Sequence, residues 1–198
     1  MPSRLSSREE DFYPRVCQAI AAMESDVVVR LAVPEDCAAV VSLVAALAAE
    51  DGHGAIPGID QGAIEQAFRR CVEDPGHLIL VAADTGQGGD KGKETIAGYI
   101  ALHWIPFPML GGTEAYVSDL IVARARRGAG IGRALADAGE RVARERGCQR
   151  LMLNNRLTAE SFARGFYSKL GYRARDDFQG FVKPLSPPGT DDAKDDAT

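Results

Sequence analysis

The sequence lacks the marks of several protein classes. Its four cysteines are widely spaced with no C-x-x-C pair, and its three histidines are scattered, so we expect neither a zinc site nor a disulfide framework. No apolar run approaches the ~18 residues of a membrane span, and the N-terminus has no apolar core of a signal peptide. The net charge of −5 argues against nucleic acid as a partner. We therefore expect a cytoplasmic protein with no metal, membrane or nucleic-acid partner.

The length and composition favour one globular domain. The chain has 198 residues, of which 45% are hydrophobic, and we place the domain at residues 27–185. Residues 1–26 are expected to be a partly helical extension, since apolar residues recur at helical spacing between 9 and 24. This helix would pack on the domain or on a second subunit, as in a homodimer. Residues 186–198 hold no large apolar residue and are expected to be a disordered acidic tail.

The most informative stretch is residues 120–135, which has the pattern of a strand, a basic glycine loop and a helix. Residues 115–122 are rich in β-branched and aromatic side chains, as strands are. From Ile131 the apolar residues recur at helical spacing, and Gly147 would end that helix. The organisation of the domain is therefore expected to centre on this strand and helix.

The loop between them is expected to bind phosphate. It contains Arg126, Arg127, Gly128, Gly130 and Gly132. Glycine lets backbone N–H groups approach a ligand closely, and a helix N-terminus adds unpaired donors and partial positive charge. Pyrophosphate is the best match to such a loop. A P-loop would need Gly-Lys-Ser/Thr, and the dinucleotide pattern G-x-G-x-x-G fails as well, so neither of those nucleotide sites is indicated.

The other patterns predict elements in the order β-α-α-β-β-β-α-β-α-β. The predicted strands are residues 27–32, 77–83, 95–105, 115–122, 150–153 and one more strand or hairpin within 172–185. The predicted helices open at Pro34, include 64–71, begin at Ile131, and span 160–170. Residues 51–60, 84–94 and 106–112 are expected to be loops.

Two motifs resemble those of the GNAT superfamily of acetyl-CoA-dependent N-acetyltransferases. Residues 127–132, Arg-Gly-Ala-Gly-Ile-Gly, match the pattern [RQ]-x-x-G-x-[GA], and residues 163–172 resemble the late motif A-x-x-F-Y-x-x-x-G-F/Y. The resemblance runs from about Val27 to Leu185. It implies an α/β (α+β) fold, with a mixed, mostly antiparallel central sheet of six to seven strands flanked by about four helices.

The resemblance also implies acetyl-CoA as the acetyl donor. Backbone groups of the strand before the loop would bind the pantetheine arm like an extra strand, and the loop would hold the pyrophosphate. Relatives carry an asparagine near the position of Glu160; here that contact is either made by Asn154 or Asn155 or is missing. The implied cofactor-binding residues are Leu120, Ile121, Val122, Arg127, Gly128, Ala129, Gly130, Ile131, Gly132, Arg133 and Asn155.

The catalytic residues implied are Tyr167 and Asp119. A phenol is protonated at pH 7 and can donate a proton to a departing thiolate, although Tyr167 could instead be a core aromatic beside Phe166. Asp119 is the leading candidate for the base, and a purely structural role for it is equally compatible with the sequence. Simple strand alternation places Asp119 on the same side as Val117.

Three other groups are weaker candidates for the base. They are His103, Glu114 and water relayed to solvent. The expected function is acetyl transfer to a small-molecule amine or a protein amino group, by direct attack in a ternary complex. One alternative is a non-catalytic acyl-CoA-binding or sensor module on the same fold, and another is an unrelated phosphate-binding protein.

Overall fold

The computed structural model describes residues 27–51, 60–84 and 94–183. The chain divides into two compact units after Asn154. The predicted N-terminal helix over residues 9–24 and the tail at 186–198 lie outside the described residues. No helix in the described part of the chain is long and apolar enough to cross a membrane.

The first unit contains a five-stranded sheet with the strands in sequence order. Strands β1 to β4 pair antiparallel, and β5 lies parallel to β4. The mixed, mostly antiparallel sheet is therefore confirmed, but the described residues give it five strands and not six or seven. The strands are β1 (Val27–Leu31), β2 (His77–Asp84), β3 (Thr95–Phe107), β4 (Gly112–Val122) and β5 (Arg150–Leu153); the helices are α1 (Cys37–Asp51), α2 (Gln61–Glu73) and α3 (Ile131–Glu145).

The predicted loop at residues 106–112 is shorter in the structure, because β3 extends to Phe107, a 3-10 turn spans Pro108–Leu110, and β4 begins at Gly112. β3 continues through Pro106, which pairs with Thr113 of β4. Pairing with β2 ends at His103, so β3 is an edge strand there, and proline is tolerated at an edge. The turn itself is short, because Gly111 adopts a left-handed conformation with φ of 64°.

Helix α3 covers one face of the sheet, which we call the α3 face. Its residues Ile131, Leu135, Ala138 and Val142 are all buried, as their spacing predicts. They pack in one cluster with apolar residues from all five strands. The helix lies close to the sheet at Gly139, where an added Cβ would come within 3.1 Å of Ile100 Cδ1.

Helices α1 and α2 cover the opposite face, the α1–α2 face. Val40 and Leu43 of α1 and Phe68 of α2 are buried there against Val81 and Tyr99 of the sheet. The two helices predicted between β1 and β2 are therefore confirmed. Because both faces are covered, the central strands read as nearly continuous apolar runs.

The second unit, described over residues 155–183, corrects two predictions. The helix predicted over 160–170 is two short helices, α4 (Glu160–Ala163) and α5 (Phe166–Lys169). They are separated by Gly165, whose φ of 62° interrupts the helix. The further strand predicted after residue 172 is absent over 172–183, where charged residues dominate 173–177 and nearly all side chains are exposed.

Candidate functional site

The glycine loop has the geometry expected of a phosphate site. After a 3-10 turn at Arg124–Arg126, Gly128 and Gly130 adopt φ of 85° and 80°, and α3 begins at Ile131. A Cβ at either glycine would meet no atom within 4 Å, so the backbone is open to an incoming ligand. The left-handed conformation favours glycine at both positions. The strand, loop and helix predicted for residues 115–146 are thus confirmed.

The arginines of this loop are engaged by acidic partners. Arg127 Nη1 lies 2.8 Å from Glu50 Oε2 of α1, and its Nε donates to the Val122 carbonyl at 3.2 Å. Arg126 Nη2 lies 2.6 Å from Asp84 Oδ2. These contacts tie the loop to α1 and to the ends of β2 and β4. Arg127 therefore holds the loop in place, and the backbone at Gly128 and Gly130 remains open to a ligand.

The remaining loop positions differ in what they offer to a ligand. Ala129 is exposed, and Arg133 is exposed in the first turn of α3. The side chain of Ile131 is 2% exposed and belongs to the core, so only its backbone faces the loop. Gly132 is the second residue of α3, where backbone N–H groups lack an intrahelical partner.

The second half of β4 has an open edge. Parallel pairing with β5 ends at Val117, opposite Leu153, so residues 118–122 pair only with β3 among the described strands. Ala123 N–H donates to the Ala97 carbonyl beyond the end of β3–β4 pairing. Since backbone direction alternates along a strand, Leu120 and Val122 point their backbone groups to the open edge.

Ile121 does not fit the predicted cofactor contact. By the same alternation its backbone faces β3, and its carbonyl lies so close to Gly98 that a Cβ there would be only 2.6 Å away. Its side chain is buried on the α1–α2 face. The cofactor contact of Leu120 and Val122 stays a prediction, whereas Ile121 directs its backbone to β3 and its side chain into the core.

A β-bulge in β4 overturns the predicted side for Asp119. Ala101 of β3 pairs with Asp119, but the next residue, Leu102, pairs with Val117, which leaves Ser118 as an extra residue. Val117 consequently packs on the α3 face. Asp119 shares the side of Ala101, whose side chain packs on the α1–α2 face. The prediction that Asp119 and Val117 face the same way is wrong, because the extra residue shifts the alternation.

The bulge completes a chain of polar contacts, which we call the polar chain: His77, His103, Ser118 and Asp119. Ser118 Oγ donates to Asp119 Oδ2 at 2.7 Å, and His103 Nε2 lies 2.7 Å from Ser118 Oγ. His103 Nδ1 lies 2.8 Å from His77 Nδ1. The Ser118 hydroxyl donates its single proton to Asp119, so it can only accept from His103. His103 Nε2 therefore carries a proton and donates to Ser118. The lone pair on His103 Nδ1 then accepts from His77 Nδ1–H.

The surroundings keep His103 neutral. Burial is the main factor that lowers the pKa of His103, and neighbouring His77 lowers it further, whereas Asp119 acts in the opposite direction. Burial, followed by the charge of Asp119, raises the pKa of both Tyr99 and Cys71. The Asp119 carboxylate thus lies near a thiol, a phenol and an imidazole that stay neutral near pH 7.

Glu114 is a structural carboxylate. It is 2% exposed and forms an ion pair with Arg150, its partner in the β4–β5 register. The Arg150 guanidinium also lies 5.4 Å from the centre of the Phe107 ring. Because Glu114 is buried and paired with Arg150, it is a poor candidate for the general base, a role that the sequence had left open.

Two further predicted residues, Tyr167 and Asn155, belong to the second unit. Tyr167 is half-buried, its ring centroid lies 5.0 Å from that of Phe166 and 5.6 Å from that of Tyr172, and burial raises its pKa. Asn155 Oδ1 accepts a hydrogen bond from Ser161 Oγ at 3.1 Å. Asn154, the last residue of the first unit, donates to Tyr116 Oη at 3.3 Å.

Sequence reasoning missed three residues beside Asp119: Cys71, His77 and Ser118. His77 meets His103 only because these residues are partners in the β2–β3 register. Ser118 is placed by the bulge. The sequence shows that Ser118 and Asp119 are adjacent. Cys71, His77 and His103 lie farther away along the chain, at separations that match no known motif.

Comparison with known proteins identifies the family of the chain. The model of the acetyltransferase (GNAT) family matches residues 46–172. Glucosamine 6-phosphate N-acetyltransferase 1 of Oryza sativa subsp. japonica is 33% identical over 113 residues, which are 54% of this chain and 63% of that protein. The chain thus matches less than two thirds of that relative's length.

Solved structures share the fold. An acetyltransferase of Trypanosoma brucei is 25% identical, with a TM-score of 0.57 over 79% of this chain and 99% of its own. A predicted acetyltransferase of Clostridium acetobutylicum, solved with acetyl-CoA, is 20% identical, with a TM-score of 0.61 over 79% and 96%. GNAT acetyltransferases use acetyl-CoA, the donor expected from the sequence. Since the family model covers more than half of the chain, including the glycine loop and β4, the chain belongs to the GNAT family of acetyltransferases.

Proposed function

We propose that the protein is an N-acetyltransferase that moves an acetyl group from acetyl-CoA to a primary amine, by direct attack while both substrates are bound. The observation that carries the proposal is the junction of an open strand edge with an open glycine loop. Leu120 and Val122 direct backbone groups away from β3, and Gly128 and Gly130 follow within a few residues. An extended arm ending in a pyrophosphate matches these two sets of open backbone groups, one on the strand and one on the loop.

The chain's own residues divide the work of binding. Leu120 and Val122 would hold the pantetheine arm as an added strand, and one of these N–H groups would face the thioester carbonyl. The N–H groups of residues 128–133 would hold the pyrophosphate. Arg127 would act mainly by fixing the loop to Glu50 and to the Val122 carbonyl. Acetyl-CoA supplies the activated acetyl group.

Deprotonation of the amine is assigned to Asp119. An ammonium has no lone pair, so attack requires a base. Asp119 lies in the open part of β4 and is half-buried, and the Ser118 hydroxyl donates to one of its oxygens. His103 orients Ser118 and would stay neutral near pH 7. The second oxygen of Asp119 would accept the amine proton.

Protonation of the departing thiolate is assigned to Tyr167. Its raised pKa favours the protonated phenol, which is the form a general acid needs. Tyr167→Phe should lower kcat about 10²–10⁴-fold with little change in acetyl-CoA affinity, provided that chemistry limits the rate. A stable variant with the wild-type single-turnover rate would exclude Tyr167 from the mechanism.

The first acceptor to test is an amino sugar phosphate, because a relative at 33% identity is a glucosamine 6-phosphate N-acetyltransferase. Release of coenzyme A thiol would be measured with glucosamine 6-phosphate, other small amines and peptide N-termini. Turnover of any amine distinguishes the enzyme from a non-catalytic acyl-CoA-binding module, which would bind acetyl-CoA without releasing thiol.

Calorimetry with acetyl-CoA tests the cofactor site directly. Gly130→Val adds a branched side chain to the open loop, where φ is 80°. Loss of two hydrogen bonds to charged phosphate, worth about 1.5–3 kcal/mol each, corresponds to a fall in affinity of about 100-fold or more. Gly111→Val is the matched control, because Gly111 has a similar φ of 64° and open surroundings at the opposite end of β4. Equal affinity in both folded variants would refute the loop assignment.

A further inference from the structure

Three side chains that could bind a metal meet at one end of the α1–α2 face. Cys71 lies in the last turn of α2, His77 is the first residue of β2, and His103 lies opposite it in β3. The Cys71 sulfur and one nitrogen of each ring all lie within 4.8 Å of one another. All three residues are partly exposed, so an ion could reach them from solvent.

The turn between α2 and β2 is fixed by the backbone contacts of Asp74. Asp74 Oδ1 accepts from Gly76 N–H at 2.7 Å, and its carbonyl accepts from His77 N–H at 3.0 Å. The Gly76 carbonyl in turn accepts from Trp104 N–H on β3 at 2.9 Å. This network holds the end of α2 against the β2–β3 ladder, and so sets Cys71 beside the two histidines before any ion binds.

Hydrogen bonding also selects the histidine tautomer that a metal needs. His103 donates its Nε2 proton to Ser118, which donates to Asp119. The Nδ1 lone pair is therefore directed toward His77. Metal-binding histidines typically donate their other ring N–H to a carboxylate or another acceptor in this way. The 2.8 Å separation of the two Nδ1 atoms means that they share one proton in the metal-free protein.

We propose that Cys71, His77 and His103 form a binding site for a divalent cation of the zinc type, with water or a small ligand in the fourth position. One thiolate and two imidazoles are borderline-soft donors, which suit Zn²⁺ and not Mg²⁺ or Ca²⁺. Catalytic zinc sites typically have three protein ligands and a fourth coordination position that is open to water or substrate. The charges of Asp74 and Asp119 act on the Cys71 thiol and would favour an adjacent cation.

Binding requires the ligand atoms, now up to 4.8 Å apart, to move by as much as about 1 Å, and it releases one proton. Zn–N bonds of about 2.0–2.1 Å in a tetrahedral site place two nitrogens about 3.3 Å apart, so the histidine pair must open by about half an ångström. The His77 proton moves from Nδ1 to Nε2, which lies 4.0 Å from Asp74 Oδ2. The Cys71 S–H bond breaks, the Zn–S bond forms, and the thiol proton passes to the buffer.

Cobalt and zinc titrations of the untagged protein test this site without acetyl-CoA, and therefore independently of the proposed function. We expect one Co²⁺ per chain, with the near-ultraviolet charge-transfer absorption of a cobalt–thiolate bond. Cys71→Ser should abolish that band, whereas Cys148→Ser, which removes another half-buried thiol of the first unit, should keep it. Removal of a direct ligand by Cys71→Ser or His77→Gln should weaken Zn²⁺ binding by more than the 10–100-fold typical of outer contacts.

Melting curves recorded with and without Zn²⁺ separate loss of the site from loss of the fold. Zinc should raise the melting temperature of the wild-type and Cys148→Ser proteins and leave that of folded Cys71→Ser unchanged. A wild-type protein that binds neither ion, or a Cys71→Ser variant that retains the cobalt–thiolate band, would overturn the proposal. The histidines would then be only a hydrogen-bonded pair.

Discussion

Helices cover both faces of the sheet, but the two faces are chemically different. On the α3 face the buried residues are apolar throughout, and they join α3 to all five strands. The α1–α2 face combines an apolar cluster with the polar chain and Cys71. One face therefore mainly stabilises the sheet, while the other also carries ionisable groups beside the open edge of β4.

The bulge at Ser118 produces this difference. Without the extra residue, Asp119 would share the side of Val117 and direct its carboxylate toward α3. A carboxylate buried there would require a partner such as the Arg150 that accompanies Glu114. The bulge instead brings Asp119 to the half-exposed side, where Ser118 and His103 meet it. Substitutions on the α1–α2 face should accordingly change activity, and substitutions on the α3 face should change stability.

The largest effect is expected for the activity of Asp119→Asn. The amide keeps an oxygen that can accept from Ser118, but it cannot take a proton from the amine. We therefore expect kcat/KM for the true acceptor to fall about 10²–10⁴-fold, the usual contribution of a general base. Steady-state rates and melting curves would be compared with those of Asp137→Asn on α3. This control should keep the wild-type activity and melting temperature. Activity within a few-fold of wild type would assign Asp119 a structural role.

The second effect concerns stability on the α3 face. Leu135 is fully buried in the middle of α3. Leu135→Ala should lower the free energy of unfolding by about 2–5 kcal/mol, through lost apolar burial and a residual cavity. Denaturant unfolding measures this value, and Leu157→Ala serves as the control because Leu157 is 76% exposed. If the folded Leu135→Ala protein lost no more stability than the control, the α3 face would not be the main source of stability.

The contrast between the faces also explains what the sequence could predict. The spacing of Ile131, Leu135 and Val142 identified α3, since helical amphipathicity is a local property. The glycine loop was equally readable, because positive φ and close approach both favour glycine. In contrast, the meeting of His77 with His103 depends on strand register, which pairs residues far apart in the chain.

Local irregularities account for the other errors. Alternation along β4 gave the wrong side for Asp119, because no residue type marks a bulge unambiguously. The last predicted helix is interrupted at Gly165, because the prediction used the spacing of apolar residues and took no account of this glycine. The apolar pattern at residues 160–170 correctly predicted helical structure there. It did not predict that the conformation of Gly165 divides this segment into two helices.

The smallest effect is the pH dependence of stability that His103 contributes. Its pKa in the folded protein is below the ordinary 6.5, mainly through burial and then through His77. Unfolding therefore takes up a proton between the folded pKa and about 6.5. This contribution to stability is fully present above pH 6.5 and is lost as pH falls through the folded pKa.

The measurement is the melting temperature between pH 7.5 and pH 5, with a chelator present so that bound metal cannot contribute. His103→Gln removes the titrating group, so its melting temperature should decline less steeply on acidification than that of the wild type. His77→Gln removes one of the groups that lower the His103 pKa and should reduce the slope only in part, because burial remains the larger cause. Asp119 opposes the shift, so Asp119→Asn should steepen the wild-type decline. Parallel curves for the wild type and His103→Gln would mean that His103 titrates alike in the folded and unfolded chains, and that the α1–α2 face does not hold its imidazole neutral.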